Sequence, residues 1–220
     1  MDIIDLEVGS SSVAQLFKLP QHIIDYLWER IEVAKKKSIC VKETLVGNIS
    51  QSYYLDDPQN LIVRNLLDIL HNNFRMNEFI QHEIHNIYHR TDYENQIHVE
   101  PYLLDGMWVN FQKRGEFQPL HSHRGVFSFV IWMEIPYHHN DESDLSFTKG
   151  TMNSAVGNFS FVYSTGENRG SSSCIVKLSP DMNGYGCFFP SDLSHQVYPF
   201  YTSNKDRISI SGNIAYRRRV

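Results

Sequence analysis

Cysteine is scarce: the chain has 3 in 220 residues, and Cys40, Cys174 and Cys187 stand far apart. A disulfide-framed secreted scaffold is therefore excluded, and reduced thiols in a cytoplasmic compartment are the expectation. Long apolar runs are missing too, so no membrane span is expected. The opening MDIIDLEVGSSS has no basic start followed by an apolar stretch, which argues against export. The sequons at Asn48 and Asn158 then carry no meaning. Nor is there an excess of positive charge. A formal net charge of -5 and a pI near 6.1 give no general attraction to a polyanion, so nucleic acid is not an expected partner. The basic end Arg217-Arg218-Arg219 reads as a solvated terminus.

What the chain does have is enough length for a proper core, and one domain over 1–220 is the natural reading. Its two parts differ in character. After Pro20, Ile23, Ile24, Leu27, Ile31 and Val33 fall largely at helical spacing, and Lys35 to Lys37 suit a helix C-terminus. A second helical pattern starts after Asp57-Pro58 and runs from Leu61 to about Tyr88, with a turn and an extended piece in VGNISQSYYLDD between the two. From about Ile97 the period changes to that of β-strands, with turns at Asp105-Gly106, Arg114-Gly115, Arg124-Gly125, Lys149-Gly150, Ser164 to Gly170 and Asn183-Gly184. The expected class is α+β, with residues 1–96 a mainly helical support and 97–216 the β core.

Chemistry concentrates in the β part. His121 and His123 lie one residue apart in a strand-like setting, so alternation with period 2 puts both imidazoles on one side. A third imidazole, His195, sits in FFPSDLSHQVYPF between Pro190 and Pro199. Twelve residues on, RISISGNIAY places Arg207, Ser209 and Ser211 on one strand face. An arginine pointing into a small barrel needs an anion, because an unpaired buried charge costs several kcal/mol, and its planar fork suits a carboxylate. Imidazole ligands beside a carboxylate receptor suggest a 2-oxo acid chelated to ferrous iron.

In this order and spacing, the motifs resemble the 2-oxoglutarate and Fe(II)-dependent dioxygenases, and more closely a set of 2-oxoglutarate oxygenases of bacteria and their viruses. The resemblance runs over about residues 100 to 216, through WVN…G…PLHSH…SFV…IPY and FFPSDLSHQVYPF…RISISGN. It implies a double-stranded β-helix, or jelly roll, with Fe(II) as cofactor and 2-oxoglutarate and dioxygen as co-substrates. The implied reaction hydroxylates an unactivated C–H bond of a protein side chain or small molecule, releasing succinate and CO2. It matches His121 to the first iron ligand, His195 to the distal one and Arg207 to the co-substrate arginine. Asn110 and Gln112 fall in register with an N-x-Y motif that touches 2-oxoglutarate, and Ser209 joins them as a co-substrate contact.

His123 departs from the family, which carries Asp or Glu there. Three readings follow: an all-histidine triad of His121, His123 and His195; a two-histidine site completed by water; or a carboxylate from elsewhere, with Glu134 and Asp192 nearest in sequence. We favour the first. Asp192 or Ser194 is then the expected hydrogen-bonding support for His195. A three-histidine cupin-type enzyme without 2-oxoglutarate, and a non-catalytic jelly-roll binding module, are the competing classes.

Other histidines are weaker candidates. His82, His85 and His89 line one helix face, but with Glu83 they form H-E-x-H rather than the zinc-protease H-E-x-x-H, so a solvated face is expected. His138-His139 belong to the acidic stretch 136–146, which is either a substrate-covering lid or a surface connection. Trp132 and Tyr137, leading into it, are the aromatic residues chosen for a substrate pocket.

Overall fold

The computed structural model describes residues 3–9, 12–73, 102–152, 154–166 and 170–216. Eleven strands form two antiparallel sheets. The larger contains β1 (Ile3–Val8), β2 (Ser12–Lys18), β3 (Gln51–Tyr54), β4 (Tyr102–Gln112), β6 (Phe127–Glu134), β9 (Tyr185–Pro190) and β11 (Arg207–Tyr216), in the order β1-β2-β9-β6-β11-β4-β3. The smaller runs β5-β10-β7-β8, from β5 (Gln118–His121), β10 (His195–Val197), β7 (Phe159–Ser164) and β8 (Ser171–Val176). Among the described residues there are three α-helices, α1 (Gln21–Lys37), α2 (Leu61–Asn73) and the short α3 (His139–Ser143), and two single-turn 3-10 helices at Lys42–Thr44 and Pro180–Met182. Among the described residues no helix is long and apolar enough to cross a membrane.

Side-chain alternation divides the core in two. On the outer face of the large sheet, Val109, Ile131 and Ile210 pack with Ile23, Leu27 and Ile31 of α1, all fully buried. On its inner face Val130, Trp132, Cys187 and Phe189 meet Phe159, Phe161 and Val176 of the small sheet. This is the expected jelly roll with a helical brace.

Helix α1 follows the sequence reading. It begins after Pro20, ends at Ser38 in the left-handed region (φ 49°), and carries Lys35, Lys36 and Lys37 in its last turn, where cations meet the negative end of the helix dipole. Helix α2 is held at its start by Asp57, whose carboxylate accepts the backbone N–H groups of Leu61 (3.0 Å), Ile62 (2.9 Å) and Val63 (3.3 Å), and the Tyr26 hydroxyl (2.7 Å). The expected continuation toward Tyr88, and His82, His85 and His89 with it, lie outside the described residues.

Two features differ from the sequence reading. The amino-terminal part supplies three strands of the large sheet as well as helices: β2 pairs with β9, β1 with β2, and β3 with β4. Alternation in β1 is broken, with a burial pattern unlike strict period 2. These strands are set by the edges they pair with, which local pattern does not reveal. At Asp105-Gly106 there is no turn. Strand β4 continues through it, with Asp105 and Gly106 set against Asn213 alone between the Leu104–Ile214 and Met107–Gly212 pairs, a bulge that Gly106 accommodates at φ 113°.

Asp57→Ala removes the acceptor for three helix N–H groups, and a loss of about 1–2 kcal/mol is expected. Urea unfolding reads it as a lower midpoint at constant m-value; an unchanged midpoint contradicts the capping role.

Candidate metal centre and co-substrate pocket

His121 ends β5 and His195 begins β10, and the two are direct register partners. The next pairing, Val197 with Gln118, spans three steps on β5 against two on β10. That extra residue is a β-bulge, which re-aims side chains, so Gln118 and His121, an odd number of residues apart, both line the pocket between the sheets. His123 lies beyond the strand, in the β5–β6 loop. It reaches its neighbours because its backbone N–H donates to Ser191 O at 2.8 Å, not by strand alternation as the sequence suggested.

The ring centroids are 4.9 Å apart for His121–His123, 4.4 Å for His121–His195 and 5.0 Å for His123–His195. One ligand atom from each lies within 4.8 Å of the others. Nδ1 of His121 is 2.7 Å from Pro119 O, and Nδ1 of His195 is 2.9 Å from Leu193 O. A carbonyl oxygen only accepts, so each Nδ1 carries the proton and each Nε2 offers its lone pair to the pocket. These carbonyls do the work expected of Asp192 or Ser194; Asp192 is exposed.

Burial favours the neutral imidazoles. Desolvation lowers the His121 pKa below its ordinary value of 6.5. For His123, desolvation and the neighbouring His121 lower it to about 4. His195 is pushed to about 3, first by desolvation within a wall that includes Phe159 and Phe189, then by His121. At neutral pH the cluster is three uncharged nitrogen donors. Such a set fits a first-row divalent ion, Fe(II) included. Among the described residues no carboxylate joins it: neither Glu134, opposite Ile208 at the end of β6, nor Asp192 does so.

Arg207 lines the same pocket at 2% exposure. Its Nη1 donates to the Tyr137 hydroxyl and to Gly157 O (2.7 Å), and its Nη2 to Gln112 Oε1 (2.6 Å) and Tyr198 O (3.0 Å). Every one of these acceptors is neutral. Among the described residues no carboxylate comes within ion-pair distance of it. Ser209 and Ser211 follow on the same face and also line the pocket, with Trp108 and Trp132.

Other candidates are close by, in supporting positions. Gln112 is level with Arg207, and Asn110 with Ser209, on adjacent β4. Asn110 Oδ1 accepts from Ser52 Oγ at 2.7 Å, and neither Asn110 nor Gln112 is among the pocket-lining residues. Tyr137 is not at a pocket mouth: it is buried, stacked on Phe200 at 4.7 Å, and bonded to Arg207. The stretch 136–146 is docked on the body through Glu142, which is fully buried. Glu142, Gly157 and Phe200 escaped the sequence reading because each touches Arg207 or its neighbours only through the fold.

Geometry and fold together give a jelly roll in which three converging imidazoles, a set able to hold a metal ion, share a pocket with a buried guanidinium. The family described as "Putative 2OG-Fe(II) oxygenase" matches residues 106–213, and over that core the chain is similar to the 2OG-Fe(II) oxygenases. Among solved structures, it is similar to a prolyl-4-hydroxylase of Pseudomonas putida, at 15% identity and TM-score 0.51 over 93% of this chain and 92% of that one. It is likewise similar to the viral collagen prolyl hydroxylase of Paramecium bursaria Chlorella virus-1, solved as a 2OG complex, at 13% identity and TM-score 0.50 over 91% and 94%. These likenesses are of fold. No curated protein matches the chain.

Acid should destabilise the metal-free protein. In the unfolded chain His123 and His195 bind protons near pH 6.5, whereas in the fold they wait until about 4 and about 3. Between those values the unfolded state holds more protons, so stability is full above pH 6.5 and falls as pH drops toward 4. Thermal unfolding of chelator-treated protein from pH 7 to pH 4 checks this, with a shallower slope for His123→Asn; parallel slopes contradict it.

Proposed function

We propose that His121, His123 and His195 together hold Fe(II), and that Arg207, with Ser209, receives the distal carboxylate of 2-oxoglutarate. The reading rests chiefly on one observation: a buried guanidinium without a carboxylate partner lines the same pocket as three converging imidazole nitrogens. Burying an unpaired charge costs several kcal/mol, and an anionic co-substrate offsets that cost. Bound Fe(II), with 2-oxoglutarate and dioxygen, supplies oxidative decarboxylation to succinate and CO2 coupled to hydroxylation of an unactivated C–H bond.

The chain's own residues do the holding and the shielding. Gln112 and Tyr137 orient Arg207 from two sides, and Ser209 and Ser211 add hydroxyl groups along the wall. Asn110, bonded to Ser52, fixes the strand position beside Ser209. Trp108, Trp132, Phe159 and Phe189 line the space around the metal ligands and exclude water from the reacting centre. The substrate is a protein side chain or a small molecule, met in a reducing cytoplasmic setting that suits three free cysteines. A three-histidine enzyme without 2-oxoglutarate accounts for the donor set but leaves the charge of Arg207 without an anion.

Anaerobic calorimetry with the Fe(II)-loaded full chain tests the assignment. 2-Oxoglutarate should bind wild type, and Arg207→Ala should weaken it by about 30-fold or more. His195→Ala should lose stoichiometric iron. Equal binding of 2-oxoglutarate by wild type and Arg207→Ala overturns the assignment of Arg207.

A further inference from the structure

We propose that Glu142 is a positioning residue for the co-substrate: it locks the α3 segment against the β10–β11 connection and so holds the socket in which Arg207 sits. This rests on the 2-oxoglutarate reading of Arg207. Glu142 is a fully buried carboxylate in an otherwise polar, exposed stretch, an expensive place for an acid unless its oxygens are satisfied. They are. Oε2 accepts the backbone N–H of Tyr201 at 2.8 Å, and Oε1 accepts the backbone N–H (2.8 Å) and hydroxyl (2.5 Å) of Thr202.

Those partners directly follow Phe200, whose ring stacks on Tyr137 at 4.7 Å and 18°. The Arg207 guanidinium carbon lies 5.7 Å from the Tyr137 ring centre and 5.6 Å from that of Phe200. Tyr137 precedes α3, and Phe200 precedes the residues that Glu142 grips. One carboxylate thus ties together the two chain segments whose aromatic rings flank the guanidinium. Gly157 closes the third side. Its carbonyl accepts from both Tyr137 and Arg207, and a Cβ there would come within 2.9 Å of both Glu142 Cγ and Tyr137 Cε2.

The α3 segment is therefore fixed behind Arg207, outside the pocket lining itself, rather than a free surface connection. Arg207 keeps its direction because Tyr137, Gly157 and Phe200 cannot drift apart while Glu142 holds Tyr201 and Thr202. The metal ligands are on β5, β10 and the β5–β6 loop, outside this lock. Loss of Glu142 should consequently weaken 2-oxoglutarate and leave the metal alone.

Full-length wild type, E142A, E142Q, T202V and R207A are compared by anaerobic calorimetry with Fe(II), then with 2-oxoglutarate. E142A should bind 2-oxoglutarate about tenfold more weakly, the scale of one or two lost charge-assisted hydrogen bonds, with Fe(II) affinity as in wild type. E142Q keeps one amide oxygen for the Thr202 donors but sets its NH2 group against the Tyr201 N–H, so its affinity should fall between those of E142A and wild type. Wild-type affinity in folded E142A, alongside a weakened R207A, overturns the role of Glu142. So does an equal loss of Fe(II) affinity in E142A. Wild-type affinity in R207A instead removes the underlying reading of Arg207. If E142A does not fold, T202V decides: a loss of about two- to fivefold confined to 2-oxoglutarate supports the lock, and wild-type binding refutes it.

Discussion

His121 lies opposite His195 because β5 and β10 pair antiparallel in that register, and a bulge after Gln118 keeps the imidazole directed between the sheets. Shifting a strand by one residue would send every side chain to the other face. The register is held from both sides: β10 also pairs with β7, placing His195 opposite Phe161, and the loop beyond β5 is pinned by His123 N–H to Ser191 O. With those three backbones fixed, the histidines need no carboxylate to bring them together. The carbonyls of Pro119 and Leu193 complete the arrangement by setting two of the tautomers.

A second region is organised around charge. The guanidinium of Arg207 takes four neutral acceptors from β4, from the chain after β6, from the chain before β7 and from the chain after β10. These take up its four Nη hydrogens without neutralising it. That combination suits a receptor: direction is fixed beforehand by neutral groups, while attraction for an anion is kept. Glu142 spends its own charge on three donors in the neighbouring segment, so it braces the receptor without occupying it.

The residues readable from the sequence are those whose chemistry repeats at fixed spacing. Arg207, Ser209 and Ser211 alternate on one strand face, and the structure places all three on the pocket wall. His195 between two prolines was legible in the same way, as was α1, with its apolar stripe and terminal lysines. His123 was legible in type but not in manner, because its place depends on a loop contact rather than on strand period. Asp105-Gly106 looked like a turn because glycine supports a turn and a bulge equally well; only pairing with β11 distinguishes them. Glu142 was illegible in principle. An acid among Asn140, Asp141, Ser143 and Asp144 gives no local sign of burial, since its partners are about 60 residues away.

Gly157 shows what such packing means for descent. Its backbone is at φ 76°, where side chains are disfavoured, and the space a methyl group would need belongs to Glu142 and Tyr137. A lineage that keeps those two side chains in place has no freedom at 157, and one that fills 157 must give up their positions. Tyr137, Glu142 and Gly157 thus form one steric unit, although 20 residues separate the first from the last.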